Sequence, residues 1–250
     1  MIERETEIPS NIVFGVRPLE EALNSKASFI KIYVQKGIGE GLKHIKNLLN
    51  KHKENFTEVP KEKLDSLSKF QNHQGVVAKI SPIVYHNAEN LCQTLFTEDK
   101  EPFFIILDRI TDVRNFGAIA RTALSAGCHA IIIPEKGSAG VNQDAIKTSA
   151  GALLHLPVCK SSNLFQTVKH LKDDGIQIIC LTEKANKDLY FEKLSKPCAI
   201  VVGNEEDGIH PSILKLADKM VKIPMGSQFD SLNVSVASGI ALYEVIRQSL

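Results

Sequence analysis

Five short runs of consecutive apolar residues beyond residue 101 constrain the fold of this chain more than any other feature. They are FFIILD, AIIIP, IQIICLT, CAIVVG and MVKIP, bounded by Pro, Gly or Asp. Such runs suit strands that are buried on both faces, as in a parallel sheet covered by helices. The sequence therefore predicts an α/β domain with a mostly parallel sheet over residues 102–250.

The front of the chain predicts a separate module. Residues 1–80 alternate helical and extended patterns, which indicates a small α/β domain, and residues 81–101 predict a linker followed by a short helix. Lys and Arg outnumber Asp and Glu by 13 to 10 in residues 1–80, but number 17 against 19 afterwards. One cluster of basic residues in this region could contact phosphates, although it also fits the solvated face of an amphipathic helix. This cluster consists of Lys43, His44, Lys46, Lys51, His52 and Lys53.

Composition excludes several classes of protein. With 43% hydrophobic residues the chain can bury a core, yet no segment approaches the roughly 20 apolar residues of a membrane helix. The first residues are charged where a secretory signal would be apolar, so we expect a cytoplasmic protein. The five cysteines are scattered without the spacing of a zinc site, and we expect them to be reduced, with no metal bound.

Unusual polar residues follow three of the predicted strands. After FFIILD, Asn115 stands where a helix N-cap would, Gly117 lets another group approach the first turn, and Gly127 is placed to end the helix. Arg121 interrupts an apolar stretch of this helix, where a surface ion pair is the simplest role. Because ligands of parallel sheets bind beyond the carboxyl ends of strands, these segments are candidates for a binding site.

The other two strand ends carry acidic and amide groups. CAIVVG leads into NEEDG, where Gly203 and Gly208 bracket three acidic residues in what could be a plain surface turn. MVKIP leads into MGSQFDSLNVSVASG, where Ser231 or Asn233 could cap a helix from about Val234 to Gln248. Neither a dinucleotide-binding GxGxxG nor a GxxxxGK[ST] phosphate loop occurs in the chain, which disfavours an ordinary nucleotide site.

Taken in this order, the segments NFGAIARTA, GNEEDG and IPMGSQFDSLNVSVASGIALYE resemble the three signature motifs of the SpoU/TrmH family of RNA ribose 2′-O-methyltransferases. The front segments IVFGVRPLEEAL and HQGVVAKI are similar to the small RNA-binding domain of members that modify a guanosine of large-subunit ribosomal RNA. The resemblance implies an L30e-like RNA-binding domain over residues 1–80 and a SPOUT catalytic domain over 102–250, with a C-terminal trefoil knot. Periodicity alone would have predicted an unknotted sheet.

The resemblance also implies a cofactor, partners and site residues. S-adenosylmethionine would bind against Gly203, Ile223 and Leu232, with Leu232 covering the adenine and Thr182 at an adjacent strand end. The ribose hydroxyl would meet the catalytic set, which is Asn115, Arg121, Glu205, Ser231 and Asn233. The expected partners are RNA, with ribosomal RNA favoured, and a second copy of the chain. The homodimer would form through the last helix, whose small residues Ala237, Ser238, Gly239 and Ala241 leave room for close approach.

Other functions stay open at this point. A transfer RNA methyltransferase of the same family would share the three motifs. A non-catalytic RNA-binding protein for ribosome assembly would keep the basic front module and could lose the polar site, whereas Asn115, Arg121 and Glu205 are all present. A small-molecule enzyme on an ordinary doubly wound sheet would need a nucleotide fingerprint, and the chain has none.

Overall fold

The computed structural model describes residues 11–24, 27–226 and 231–250, and it divides into two compact units at Val84 and Tyr85. The first unit contains a four-stranded sheet in the order β1-β4-β2-β3, in which β4 is antiparallel to both of its neighbours and β2 is parallel to β3. In chain order its elements are β1 (Ile12–Phe14), α1 (Val16–Asn24), β2 (Phe29–Gln35), α2 (Glu40–Lys51), β3 (Thr57–Val59), α3 (Lys61–Leu67) and β4 (Val76–Ile80).

A single apolar core holds the first unit together. Leu19 and Leu23 of α1 and Ile45 and Leu49 of α2 are buried against the sheet residues Ile32, Val34, Val76 and Ala78. These positions recur at helical spacing in α1 and α2 and alternate along β2, as a one-sided core requires. The alternation of helices and strands predicted for this region is confirmed, and β1 lies at the edge of the sheet.

The second unit contains an eight-stranded sheet in the order β10-β12-β9-β11-β6-β7-β8-β5, and each neighbouring pair of these described strands is parallel. Its elements are β5 (Tyr85–His86), α4 (Ala88–Thr97), β6 (Phe103–Asp108), α5 (Val113–Ser125), β7 (Ala130–Pro134), α6 (Gln143–Thr148), β8 (Val158–Ser161), α7 (Leu164–Asp173), β9 (Gln177–Leu181), β10 (Lys187–Asp188), β11 (Cys198–Gly203), α8 (Pro211–Leu214), β12 (Lys219–Lys222) and α9 (Val234–Ser249). Short 3-10 turns occupy Ala152–Leu154 and Leu189–Phe191.

The five apolar runs form β6, β7, β9, β11 and β12, which confirms the predicted parallel sheet. Every residue of β6 is buried, because the central strand is covered on both faces. The segment expected to be a linker with a short helix forms β5 and α4, and both belong to this unit, where Ala88, Cys92 and Leu95 of α4 pack into the core. The knot stays a prediction. Within the described residues, no helix is long and apolar enough to cross a membrane.

Candidate active site

Two central strands of the large sheet end side by side. β6 and β11 are paired along their length, and their last residues, Asp108 and Gly203, lie opposite each other. From β6 the strand order runs through β7 and β8 toward one edge of the sheet, and the chain then returns to β9, which lies toward the other edge. The carboxyl ends of β6 and β11 therefore flank the point where the strand order reverses, which is where parallel sheets bind ligands.

A tight turn follows β11 and carries Glu205. Asn204 forms a backbone bridge with Gly208, and its side-chain oxygen accepts hydrogen bonds from the two backbone amides after Glu205, at 2.7 and 2.8 Å. Gly203 has no space for a side chain, since a Cβ there would lie 2.1 Å from the carbonyl carbon of Gly208. Close backbone packing and the Asn204 side chain thus fix the position of Glu205.

An ion pair ties this turn to β6. Arg109 donates to both carboxylate oxygens of Asp108, at 3.1 and 3.2 Å, and to the carbonyl oxygen of Gly208 at 3.0 Å. Asp108 is buried and also accepts a hydrogen bond from the backbone amide of His210 at 2.6 Å. The hydrogen bond to Asp108 raises the pKa of the Arg109 guanidinium above its usual value. Sequence reasoning missed this pair, for which the only signal was an aspartate ending a buried strand.

The first-motif helix begins earlier than the sequence suggested. Asp112 is the N-cap of α5, and its side chain accepts a hydrogen bond from the backbone amide of Asn115 at 2.7 Å. The prediction that Asn115 caps the helix is therefore wrong, because Asp112 takes that role and leaves the Asn115 side chain available. Gly127 lies just past the helix end with φ +73°, as predicted. Gly117 also allows a close approach, which here is that of Thr148 at the end of α6.

Asn115 joins the second and third motifs. Its Nδ2 donates to Oε1 of Glu205, and its Oδ1 accepts a hydrogen bond from Nδ2 of Asn233 at 3.0 Å. Asn233 is the N-cap of α9, and its Oδ1 accepts from the backbone amide of Ser235 at 2.9 Å. This cap leaves Nδ2 of Asn233 as the donor toward Asn115, so the amide orientations along the chain agree. Three residues from distant segments form one polar row.

The row borders a cavity of about 450 Å³. All four residues expected to bind the cofactor line it, namely Thr182, Gly203, Ile223 and Leu232. Three residues of the expected catalytic set also line it, namely Glu205, Ser231 and Asn233. The charged residues Glu183 and Lys222 line it as well and were not singled out from the sequence. The polar turn predicted over residues 229–235 lies in part outside the described residues, which resume at Ser231.

The cavity fits S-adenosylmethionine in size and chemistry. Its volume falls within the range of about 300–1,000 Å³ that is usual for small-molecule sites. Leu232 and Ile223 offer apolar surface to an aromatic ring, while Glu183 and Glu205 are carboxylates of the charge that favours a sulfonium. Among the described residues, no group of three or more His, Cys, Asp or Glu could hold a metal ion.

Arg121 is separated from the other expected catalytic residues. It is exposed on α5, does not line the cavity, and lies six residues beyond Asn115, which is about 9 Å along the helix axis and about 120° around it. No side-chain partner of Arg121 is found among the described residues, so the surface ion pair considered from the sequence does not form with any of them. The structure brings together Asn115, Glu205, Ser231 and Asn233, without Arg121.

Comparison with known sequences agrees with this geometry. The profile of the SpoU rRNA Methylase family matches residues 102–243, and that for RNA 2′-O ribose methyltransferase substrate binding matches residues 12–86. Relatives include the 23S rRNA (guanosine-2′-O-)-methyltransferase RlmB of Vibrio vulnificus, 35% identical over 96% of this chain and 98% of its own. Another is the putative TrmH family tRNA/rRNA methyltransferase YacO of Bacillus subtilis, 33% identical over 94% of this chain and 95% of its own.

Solved structures support the same fold. The AdoMet-bound rRNA methyltransferase of Sinorhizobium meliloti superposes with a TM-score of 0.62 at 22% identity, covering 96% of this chain and 87% of that one. The TrmH/SpoU tRNA modifying enzyme of A. aeolicus is 31% identical with a TM-score of 0.55, covering 64% of this chain and 81% of that one. With its family profile matching more than half of the sequence and relatives aligned over nearly all of it, the chain belongs to the SpoU rRNA methylase family.

Proposed function

We propose that this protein transfers a methyl group from S-adenosylmethionine to the ribose 2′-hydroxyl of a guanosine in large-subunit ribosomal RNA. The observation that carries the proposal is the polar row Glu205–Asn115–Asn233 beside a cavity that fits the cofactor. The match to a substrate-binding domain over residues 12–86 and the RlmB relatives that align along their whole length favour ribosomal RNA. A cytoplasmic location is part of the same proposal and is supported by the ribosomal RNA methyltransferases among the relatives.

The cofactor residues divide by chemistry. Leu232, which is partly exposed, covers the adenine, and Ile223, the residue after β12, lines the same cavity. Gly203 is the last residue of β11 and Thr182 is the residue after β9, so both line the cavity from the carboxyl ends of strands. Bound S-adenosylmethionine supplies a methyl group activated by a positive sulfonium. Because that group is already reactive, the residues of the chain mainly align and desolvate the hydroxyl that receives it.

The polar row positions the nucleophile. The carboxylate of Glu205 accepts hydrogen bonds and Asn115 donates one to it, which holds that carboxylate at the cavity mouth. Asn233 and Ser231 add an amide and a hydroxyl to the lining of the cavity, at the positive end of the α9 dipole. These groups stabilise negative charge that develops on the ribose oxygen as its proton leaves.

Arg121 requires a different role. Its guanidinium stays protonated at neutral pH, so it serves as a donor to phosphate or to the developing alkoxide and does not act as a general base. Since its side chain is exposed away from the cavity of its own protomer, we propose that it completes the cavity of a second copy in a homodimer. Exposed apolar residues on the neighbouring surface, Val236 and Tyr243 of α9 and Leu124 of α5, are consistent with such an interface.

Two of the small α9 residues expected at the dimer interface are buried in the single chain. Ser238 and Ala241 are buried within the protomer, and a Cβ on Gly239 would lie 3.5 Å from Thr122 of α5 in the same chain. The small residues of α9 therefore allow close packing on α5 of their own protomer. A dimer would instead use the outer face of α9, which carries Val236 and Tyr243.

A two-step experiment tests the proposed function. Calorimetry with S-adenosylmethionine should show one cofactor site per chain, and Asn115→Ala should keep this binding while it abolishes methyl transfer. Incubation of unmodified ribosomal RNA and transfer RNA with labelled cofactor, followed by mapping of 2′-O-methyl positions, should give one guanosine in the large-subunit RNA. Absence of cofactor binding would favour a non-catalytic RNA-binding protein, and modification of transfer RNA alone would contradict the substrate assignment.

A further inference from the structure

Three loop segments meet at one end of the sheet in the first unit. They are Gly15 with the first turn of α1 (15–18), the β2–α2 loop (36–39) and the α3–β4 loop (68–75). The backbone amide of Val16 donates to Oε1 of Gln74 at 2.9 Å, and the amide of Gln35 donates to the carbonyl oxygen of Gly75, also at 2.9 Å. These bonds fix the three loops relative to one another. Together they form what we call the loop surface.

Buried polar groups make the α3–β4 loop rigid. His73 is only 5% exposed, and its Nε2 lies 3.0 Å from Oδ1 of Asp65 while its Nδ1 accepts a hydrogen bond from the amide of Gly75 at 3.0 Å. The fully buried Ser68 donates to the carbonyl oxygen of Gln71 at 3.1 Å. These bonds hold the loop from inside, so the conformation of its exposed residues is set before any partner binds.

The rigid loop presents an aromatic ring to solvent. Phe70 is 84% exposed and has a φ of +61°, and its neighbour Lys69 has a φ of +51°. A bulky residue rarely adopts this left-handed conformation, and surrounding structure must impose it. On the β2–α2 loop Ile38 is 95% exposed, and both loops pack on the side chain of Leu42. The fold thus holds two large apolar side chains outside its core on adjacent loops.

The charge of the loop surface selects the kind of partner. Residues 15–18, 36–39 and 68–75 contain the basic residues Arg17, Lys36 and Lys69 and no Asp or Glu. The carboxylate of Asp65, near the end of α3, is bound by His73. An exposed ring among cationic side chains is the arrangement by which proteins bind unpaired bases, with the ring stacking on a base and the cations contacting phosphates.

We propose that Phe70 stacks on an unpaired base of the RNA substrate while Arg17, Lys36 and Lys69 contact the flanking phosphates. Ile38 packs against the same or the next nucleotide, and the exposed amides of Gln71 and Asn72 offer hydrogen bonds to base edges. The loop surface accordingly binds a loop or bulge and not a continuous duplex, in which the bases are stacked on one another. This inference rests on the proposed function, because it assumes that the substrate is RNA.

Binding of labelled RNA to the full-length protein tests the inference. The probes are an RNA hairpin with an unpaired loop and a continuous duplex of the same stem, measured by fluorescence anisotropy at fixed salt. Phe70→Ala should weaken hairpin binding by about 5- to 150-fold, the range for loss of one stacked base, and should change duplex binding little. Phe70→Trp should retain hairpin affinity because it keeps a flat ring, whereas Phe70→Leu should lose it. Since Phe70 is exposed, these variants should melt at the wild-type temperature.

A matched control is available in the second unit, where Phe191 is also 84% exposed. Phe191→Ala should leave hairpin binding unchanged, and an equal loss in both alanine variants would overturn the specific role of Phe70. Wild-type affinity of Phe70→Ala, or wild-type affinity of Phe70→Leu, would overturn stacking and leave a protein contact for this surface. Methyl transfer by the wild-type protein is measured in parallel. If wild type methylates RNA but Phe70→Ala binds the hairpin normally, only the inference fails; if wild type neither binds nor methylates RNA, the proposed function fails as well.

Discussion

Substitution of Gly203 by alanine tests whether the cavity depends on the close packing of the turn after β11. A Cβ at this position would lie 2.1 Å from both the carbonyl carbon of Gly208 and the amide nitrogen of Ile209, whereas real Cβ contacts are essentially never closer than 3.0 Å. The obstructing atoms are backbone, so they cannot rotate away. The turn must therefore move by roughly 1 Å, a displacement that can reduce catalysis by about 10²-fold.

The displaced turn carries several contacts at once. The Asn204–Gly208 bridge and the hydrogen bond from Arg109 to Gly208 lie in the segment that has to shift, and Glu205 would move away from Asn115. We expect Gly203→Ala to weaken S-adenosylmethionine binding by at least about 10-fold and methyl transfer by about 10²-fold or more. Overpacking costs about 1–3 kcal/mol, which should lower the melting temperature of the second unit by about 2–12 °C.

Titration calorimetry measures the change in cofactor binding, and scanning calorimetry on the same samples measures the change in melting temperature. Gly140→Ala is the matched control, because a Cβ there would have no atom within 4 Å and its φ is not positive. This variant should bind the cofactor and melt like the wild type. If Gly203→Ala binds S-adenosylmethionine within about threefold of the wild type, the turn is not the rigid wall that its packing indicates and this reasoning is refuted.

Leu232→Arg should abolish cofactor binding measured by calorimetry, because the side chain lines the cavity, and retained binding would contradict its assignment to the adenine. Arg121→Ala should keep cofactor binding and lose methyl transfer. A mixed dimer of one Arg121→Ala chain and one Leu232→Arg chain should regain activity if the arginine acts across the interface, because one intact cavity then meets one intact arginine. It should stay inactive if the arginine acts within its own chain. All five cysteines are buried, and burial raises the thiol pKa of Cys92 to about 11 and that of Cys198 to about 12. A disulfide reagent at pH 8 should therefore label the native protein slowly and should label all five thiols after unfolding. Rapid labelling of the native protein would show that the core opens. Removal of residues 1–84 should leave cofactor affinity nearly unchanged and should reduce RNA methylation sharply, and full activity of the shortened chain would exclude the front unit from substrate binding.

The strands of the large sheet could be predicted from the sequence because burial on both faces leaves a direct signal. β6 and β11 are continuous apolar runs, and every residue of β6 is buried. The strands that were not predicted, β5, β8 and β10, are two to four residues long and partly polar. They lie toward the sheet edges, where neighbouring strands and helices supply the stabilisation that short segments lack.

The contact between motifs could not be read from local patterns. Strand β11 inserts between β9 and β6, so residues 90 positions apart, Asn115 and Glu205, meet only after the sheet has formed. Strand order is set by how helices cover the sheet, and nothing within a single strand encodes it. The family resemblance supplied the grouping of these residues before the fold was known, because it carries information about the whole chain.

The start of α5 shows how helix capping separates neighbours of similar chemistry. Aspartate and asparagine are both good N-cap residues, and the segment DVRN offers one of each, at Asp112 and Asn115. Once Asp112 caps α5, Asn115 is placed one turn inside the helix, where its amide has no backbone group to bind and can reach Glu205 and Asn233. The same helical geometry then directs Arg121, six residues later, about 120° away from that row. The choice of cap therefore leaves Asn115 to join the polar row, while Arg121 lies on the exposed surface of α5.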